Sequence, residues 1–165
     1  MKSFDDAPIL VIMELTQACD LACVHCRACA IPGRNPFELS TDEGVRYSMR
    51  FRSFGEPLMV FTGGDPLKRP DLFSLLERAV GLGLRTTITP SATPLLDEDA
   101  IQQFRNIGLA RMAISLDGPD AASPNGFRRV EGSFERTVFA SQHARPDWSG
   151  HPSQYDGDAP QPEPD

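Results

Sequence analysis

A chain of 165 residues is about one domain long, and a hydrophobic content of 40% is enough for a packed core. The net charge of −7 comes without any basic stripe, which argues against a nucleic-acid partner. No apolar run approaches the roughly 20 residues that span a bilayer, and the polar, acidic start lacks the layout of a signal peptide, so we expect a cytoplasmic protein without a membrane partner.

Short apolar runs alternate with amphipathic segments along the chain. The apolar runs predict four strands, at 9–15, 57–62, 84–89 and 110–116. Helical spacing and capping residues predict a helix after each of them, at 40–54, 71–80, 97–106 and 133–144. This alternation predicts an α/β fold with a parallel sheet and right-handed crossovers, in which the chemistry collects at the carboxyl ends of the strands.

Four cysteines crowd together directly after the first predicted strand, and the sequence has no others. In a reducing compartment this clustering favours metal binding over disulfides. The spacing Cys19-x3-Cys23-x2-Cys26 places three thiolates, the usual ligands of iron–sulfur clusters, on one loop. Three ligands would leave one iron of a four-iron cluster open for another ligand. The alternative is a zinc-binding structural module, in which Cys29 or His25 completes a set of four ligands.

Two further groups of unusual residues follow later strands. Gly63-Gly64-Asp65-Pro66 comes directly after the second predicted strand, and Ser115 and Asp117 lie at the end of the fourth. By itself, the first group is an ordinary turn. Because the carboxyl ends of parallel strands lie along one edge of the sheet, we expect both groups on the same edge as the cysteines.

The cysteine spacing, directly after a first strand, resembles the C-x3-C-x2-C signature of the radical S-adenosylmethionine (SAM) superfamily, and His25 fits the aromatic position before its third cysteine. Gly63 to Pro66 resembles the G-G-E-P motif of that superfamily, with Asp65 in place of the commoner Glu. Phe127-Arg128 with Gly132 and Phe134 is similar to the F-R-x(3)-G-x-F pattern of members with a SPASM- or twitch-type C-terminal extension. The resemblance covers roughly residues 9–139.

The resemblance implies a partial (βα) TIM-like barrel with about four βα units, and two cofactors. Cys19, Cys23 and Cys26 would hold a [4Fe–4S] cluster, beside which His25 packs. The backbone of the Gly63-Gly64-Asp65-Pro66 turn would bind the amino group of SAM, where absence of Cβ lets the chain approach a ligand. Ser115 and Asp117 would contact the SAM ribose, because a carboxylate can accept hydrogen bonds from the sugar hydroxyls.

The function that the resemblance implies is reductive cleavage of SAM to a 5′-deoxyadenosyl radical, which modifies a peptide or a cofactor precursor. Such an enzyme needs a reductant such as flavodoxin or ferredoxin, and a peptide or small-molecule substrate. A second hypothesis is a catalytically impaired remnant that binds an iron–sulfur cluster without turnover. The zinc-binding module is the third.

The sequence also predicts a division of the chain into an incomplete core and a tail. By the resemblance, residues 1–145 would form an incomplete radical SAM core, with four βα units where the family usually has six, so we expect a C-terminally truncated member. Residues 146–165 are rich in proline and acids and contain no lysine or arginine. So few apolar residues cannot offset the entropy of ordering, and we expect this tail to be disordered.

Overall fold

The computed structural model describes residues 7–118 and 120–144. The predicted tail at 146–165 lies outside these residues. The elements in chain order are β1 (Leu10–Glu14), α1 (Thr41–Phe54), β2 (Leu58–Thr62), a 3-10 turn (Pro66–Lys68), α2 (Leu72–Gly81), β3 (Thr86–Ile88), α3 (Glu98–Ile107), β4 (Arg111–Met112), α4 (Ala122–Arg128) and α5 (Ser133–His143). No helix in the described ranges is both long and apolar enough to cross a membrane.

The strands form one parallel sheet in the order β1-β2-β3-β4. The register pairs Ile12 with Val60, Val60 with Thr87, and Ile88 with Met112. Strands that follow one another in sequence are therefore neighbours in space, as the short connections of successive βα units favour. The α/β fold with parallel strands predicted from the sequence is confirmed.

One face of the sheet is packed against the helices and forms the core. Met59 and Phe61 of β2 are fully buried and belong to the same apolar cluster as Leu76 of α2 and Phe104 of α3. On the opposite face, Ile12 of the edge strand β1 is 56% exposed. The strand alternation thus leaves one face of the sheet open, while the helices cover the other.

The structure differs from the prediction after β3. The strand β4 covers Arg111–Met112 alone, because it pairs with the three-residue strand β3 and the ladder ends with it. Ser115 and Asp117 consequently lie in the connection after β4 and not within a strand. The sequence analysis did not predict the helix α4, which contains Pro124 in its first turn, where proline is tolerated.

Candidate metal centre

The cysteine loop, residues 19–30, leaves the carboxyl end of β1 and is closed at its base by backbone pairing. The N–H of Cys19 donates to the carbonyl of Ile31 at 2.9 Å, and the N–H of Ile31 donates to the carbonyl of Gln17 at 2.9 Å. The loop thus starts and ends at one point of the sheet edge. All four of its cysteines are free thiols.

Three of the cysteines differ from the fourth in burial. Cys19 is buried and Cys23 and Cys26 are half-buried, whereas Cys29 is exposed. The sulfurs of Cys19 and Cys26 each accept a backbone N–H, from Leu21 at 3.4 Å and from Ala30 at 3.3 Å. Such donors stabilise negative charge on sulfur, as ligand thiolates need.

The three predicted ligands are close enough to influence one another. Burial raises the pKa of the Cys23 thiol, the Arg128 guanidinium lowers it, and the neighbouring Cys19 and Cys26 raise it again. Within residues 7–118 and 120–144, however, no three histidine, cysteine or acidic side chains are grouped as a finished metal site. The sulfurs are neighbours that must still converge before they hold a metal.

The Gly-Gly turn, residues 63–66, is fastened to the base of the cysteine loop. The N–H of Gly64 donates to the carbonyl of Thr16, and the N–H of Asp65 to the carbonyl of Ala18, each at 2.7 Å. A Cβ on Gly64 would lie 2.6 Å from the Ala18 oxygen, and one on Gly63, where φ is +149°, would lie 2.4 Å from the Thr16 oxygen. Both positions therefore require glycine because the protein's own chain approaches them.

The side chain of Asp65 is fully buried. Its Oδ1 accepts the N–H of Leu67 at 3.1 Å, and its Oδ2 accepts the hydroxyl of Thr93 at 2.7 Å. Burial raises the pKa of this carboxyl, and these hydrogen bonds oppose the rise. The shorter Asp in place of Glu thus caps the turn after β2 and joins it to the segment after β3.

Asp117 and Ser115 are both engaged by Arg128, whose side chain is 9% exposed. The guanidinium donates from Nε to Asp117 Oδ2 at 2.7 Å and from Nη2 to the Ser115 carbonyl at 3.0 Å. Arg128 is buried and Asp117 is half-buried. The pair fixes the connection after β4 while leaving the second oxygen of Asp117 without a bond to this arginine.

The end of α4 also holds the middle of the cysteine loop. The N–H groups of Ala22 and Val24 donate to the carbonyls of Arg128 and Phe127 at 3.0 and 2.9 Å. The His25 ring meets the Phe127 ring edge to face, with centroids 5.0 Å apart. His25 is thus a packing residue of the loop, and α4, which the sequence did not predict, is its support.

Glu38 connects the segment after the cysteine loop to the chain before the loop, a contact that the sequence analysis did not predict. Its Oε1 accepts the Thr16 hydroxyl at 2.6 Å and the N–H groups of Gln17 and Asn35, and its Oε2 accepts Arg34 Nε at 2.8 Å. Burial alone would raise the pKa of this carboxyl, but the hydrogen bonds outweigh it and lower the pKa to about 2. No spacing in the sequence marks this contact.

Two other contacts at the site were also missed. Arg69, with a side chain 1% exposed, donates to the Leu15 carbonyl at 3.0 Å and pairs with both oxygens of Asp71. Ser91 donates to the Gly64 carbonyl at 2.9 Å and lies 3.7 Å from Cys19 Sγ. The signal that could have found Ser91 is its place directly beyond a parallel strand, at the edge where the cysteines lie.

The donor set fits an iron–sulfur cluster. Its three thiols lie on one loop, two of their sulfurs accept backbone N–H groups, and the cation of Arg128 acts on the third. For zinc, the fourth ligand would be His25 or Cys29. The ring of His25 packs on Phe127, and Cys29 is exposed whereas the three other cysteines are buried or half-buried.

Comparison with known sequences identifies relatives over most of the chain. The chain is 43% identical over 129 residues to the AdoMet-dependent heme synthase of Oleidesulfovibrio alaskensis, and the aligned region covers 78% of this chain and 33% of the relative. It is 35% identical over 138 residues to the PqqA peptide cyclase of Rhodopseudomonas palustris, covering 84% of this chain and 34% of the relative. The chain therefore spans about one third of the length of these curated relatives.

Solved structures share the fold. Streptococcus suis SuiB bound to S-adenosylmethionine superposes with a TM-score of 0.70 at 19% identity, over 84% of this chain and 32% of SuiB. Methylornithine synthase (PylB) superposes with a TM-score of 0.62 at 20% identity, over 86% of this chain and 42% of that protein. The sheet and its helices thus correspond to part of a TIM-like barrel. The sequence model of the Radical SAM superfamily matches residues 13–145, so this chain belongs to that superfamily, whose cofactors are a [4Fe–4S] cluster and S-adenosylmethionine.

Proposed function

We propose that this chain is the cluster-bearing part of a radical SAM enzyme. Cys19, Cys23 and Cys26 would hold a [4Fe–4S] cluster, and the adjoining Gly-Gly turn would hold SAM. When bound, the cluster supplies the electron that cleaves SAM reductively to a 5′-deoxyadenosyl radical. The observation that carries the proposal is the pair of 2.7 Å hydrogen bonds that fasten the turn to the base of the cysteine loop, since they join the two halves of the site.

The polypeptide contributes charge and backbone donors to the cysteine sulfurs. Burial, together with the two other thiols, raises the pKa of Cys23, and Arg128 opposes that rise, so this arginine favours the thiolate that binds metal. The N–H groups of Leu21 and Ala30 donate to the sulfurs of Cys19 and Cys26, and such donors stabilise negative charge on a ligand sulfur. Closure of the loop by the Ala18–Ile31 bridge limits the entropy lost when the sulfurs converge.

The Gly-Gly turn can present backbone carbonyl oxygens to SAM, but the N–H groups of residues 64 and 65 are not available to it. Both of those N–H groups already donate to the chain before the cysteine loop. An ammonium group is a donor, so it would bind at carbonyl oxygens such as that of Gly64, which accepts one hydrogen bond, from Ser91, and has two lone pairs. At the other side of the site, Ser115 and the second oxygen of Asp117 would receive the ribose hydroxyls.

The substrate proposed for the whole protein is a peptide or a cofactor precursor. The relatives include an AdoMet-dependent heme synthase at 43% identity and a PqqA peptide cyclase at 35% identity, and each shares one third of its length with this chain. A low-potential one-electron donor such as flavodoxin or ferredoxin would deliver the electron. We propose a cytoplasmic location, because that compartment keeps thiols reduced.

The proposal is tested by anaerobic reconstitution of the full chain with iron and sulfide. We expect Mössbauer and EPR spectra of one four-iron centre, and release of 5′-deoxyadenosine after reduction and addition of SAM. A four-iron centre without 5′-deoxyadenosine would favour the alternative of a cluster-binding protein without turnover. Absence of any four-iron centre, or stoichiometric zinc after anaerobic purification, would overturn the proposal.

Matched cysteine variants test the choice of ligands. Cys26→Ser should lose most of the four-iron signal, because oxygen is a poor substitute for a thiolate at iron. Cys29→Ser, three residues away on the same loop and exposed, should keep it. Equal loss of iron in the two variants would show that the loop binds metal in another arrangement.

A further inference from the structure

Ser91 stands between the two halves of the site, and nothing in the cysteine motif or the Gly-Gly motif includes it. Its Oγ donates to the Gly64 carbonyl at 2.9 Å and lies 3.7 Å from Cys19 Sγ. Within the described residues, it joins a proposed cluster ligand to the turn proposed to hold SAM. We infer that Ser91 is a positioning residue whose hydroxyl tunes the reduction potential of the centre through Cys19, an inference that rests on the proposed function.

The position of this hydroxyl is set by its surroundings. Pro90 and Ala92 on either side of Ser91 are buried, and the Ser91 carbonyl accepts the N–H of Thr93 at 2.8 Å. Thr93 is in turn bound through its hydroxyl to the buried carboxyl of Asp65. The segment after β3 is therefore held on both sides, and the hydroxyl needs no rearrangement of the backbone to face the sulfur.

A serine hydroxyl has one proton and here has two neighbours that can accept it. In the free thiol form, the Ser91 proton goes to the Gly64 carbonyl, the shorter contact, and the S–H of Cys19 can donate to Ser91 Oγ. A metal-bound sulfur carries no proton and can only accept. The Gly64 carbonyl and the sulfur would then compete for the Ser91 proton, because rotation of the O–H about the C–O bond brings it to one or the other.

The direction of the effect follows from charge. A hydrogen bond to a ligand sulfur stabilises the more negative, reduced form more than the oxidised form, and therefore raises the reduction potential. An ammonium donor bound at the Gly64 carbonyl would satisfy that oxygen in place of Ser91. The serine proton would then be free for Cys19, so that occupancy of the turn would favour reduction of the centre.

The test compares the midpoint potential of reconstituted protein in EPR-monitored redox titrations, with and without SAM. In Ser91→Ala we expect the ratio of reduced to oxidised centre at a fixed potential to fall by up to about tenfold, a shift of about 59 mV for one electron. The difference from wild type should grow when SAM is present. Thr89→Val removes a hydroxyl two residues away that bonds to Phe61 and not to a cysteine, and should leave the potential unchanged.

The outcomes separate the inference from the proposed function. A wild-type chain without a four-iron centre rejects the proposed function, and the inference with it. Normal centres of equal potential in wild type and Ser91→Ala reject the inference alone. If Ser91→Ala fails to assemble the centre, Ser91→Thr decides: assembly with the wild-type potential supports a role for the hydroxyl, and failure of both variants overturns it.

Discussion

Replacement of Gly64 by alanine tests the contact that joins the Gly-Gly turn to the cysteine loop. The new Cβ would lie 2.6 Å from the Ala18 oxygen and 2.7 Å from the Gln17 oxygen, and neither atom belongs to a flexible side chain. The chain must separate there, which breaks the hydrogen bonds from residues 64 and 65. Each bond contributes about 1 kcal/mol and overpacking costs about 1–3 kcal/mol, so we expect a loss of about 3–5 kcal/mol in the free energy of unfolding.

The loss is measured by urea unfolding of the apoprotein, followed by far-UV circular dichroism, with iron retention after reconstitution as a second readout. Gly33→Ala is the matched control, because nothing lies within 4 Å of its Cβ, and we expect a change within about 0.5 kcal/mol. Gly64→Ala should also lower the iron bound, since the base of the loop moves. Equal unfolding midpoints for the two variants would show that Gly64 is not packed against the Ala18 and Gln17 carbonyls as described.

Two further predictions concern buried carboxyls. The pKa of Glu38 is lowered to about 2 from an ordinary 4.5, so its stabilising effect is present above pH about 4.5 and is lost as the pH falls towards 2. Glu38→Gln should remove this part of the pH dependence of the urea unfolding midpoint. An unchanged pH dependence below pH about 4.5 would contradict the role given to Glu38. Burial raises the pKa of Asp65, so its ionisation lowers stability as the pH rises through that raised value. Asp65→Asn should therefore flatten this pH dependence and keep the free energy of unfolding within about 1 kcal/mol of wild type. Asp65→Ala leaves the Thr93 hydroxyl and the Leu67 N–H without their acceptor, and should lose about 2–4 kcal/mol. Equal losses in the two variants would exclude the hydrogen-bonding role.

Features that depend on a few consecutive residues could be predicted before the fold was known. The predicted capping of α1 is observed as a capping box, with Ser40 and Glu43 each binding the other's backbone N–H. Gly108 ends α3 in the left-handed region, where glycine is favoured. Apolar runs identified the strands, and the spacing of three cysteines identified the family, because both signals lie within a few consecutive residues.

The contacts between distant parts of the chain became visible only in the folded protein. Ser91 lies beside Cys19, 72 positions earlier in the chain, and Arg128 acts on Cys23 although it comes from a helix that the sequence did not predict. Local patterns do not encode such pairs, since they depend on which strand ends are adjacent and on the path of each loop. The Gly-Gly turn combines both kinds of information. Its glycines are visible in the sequence. The reason that glycine is necessary there is the close approach of the chain before the cysteine loop, and this approach exists only once the parallel sheet has formed.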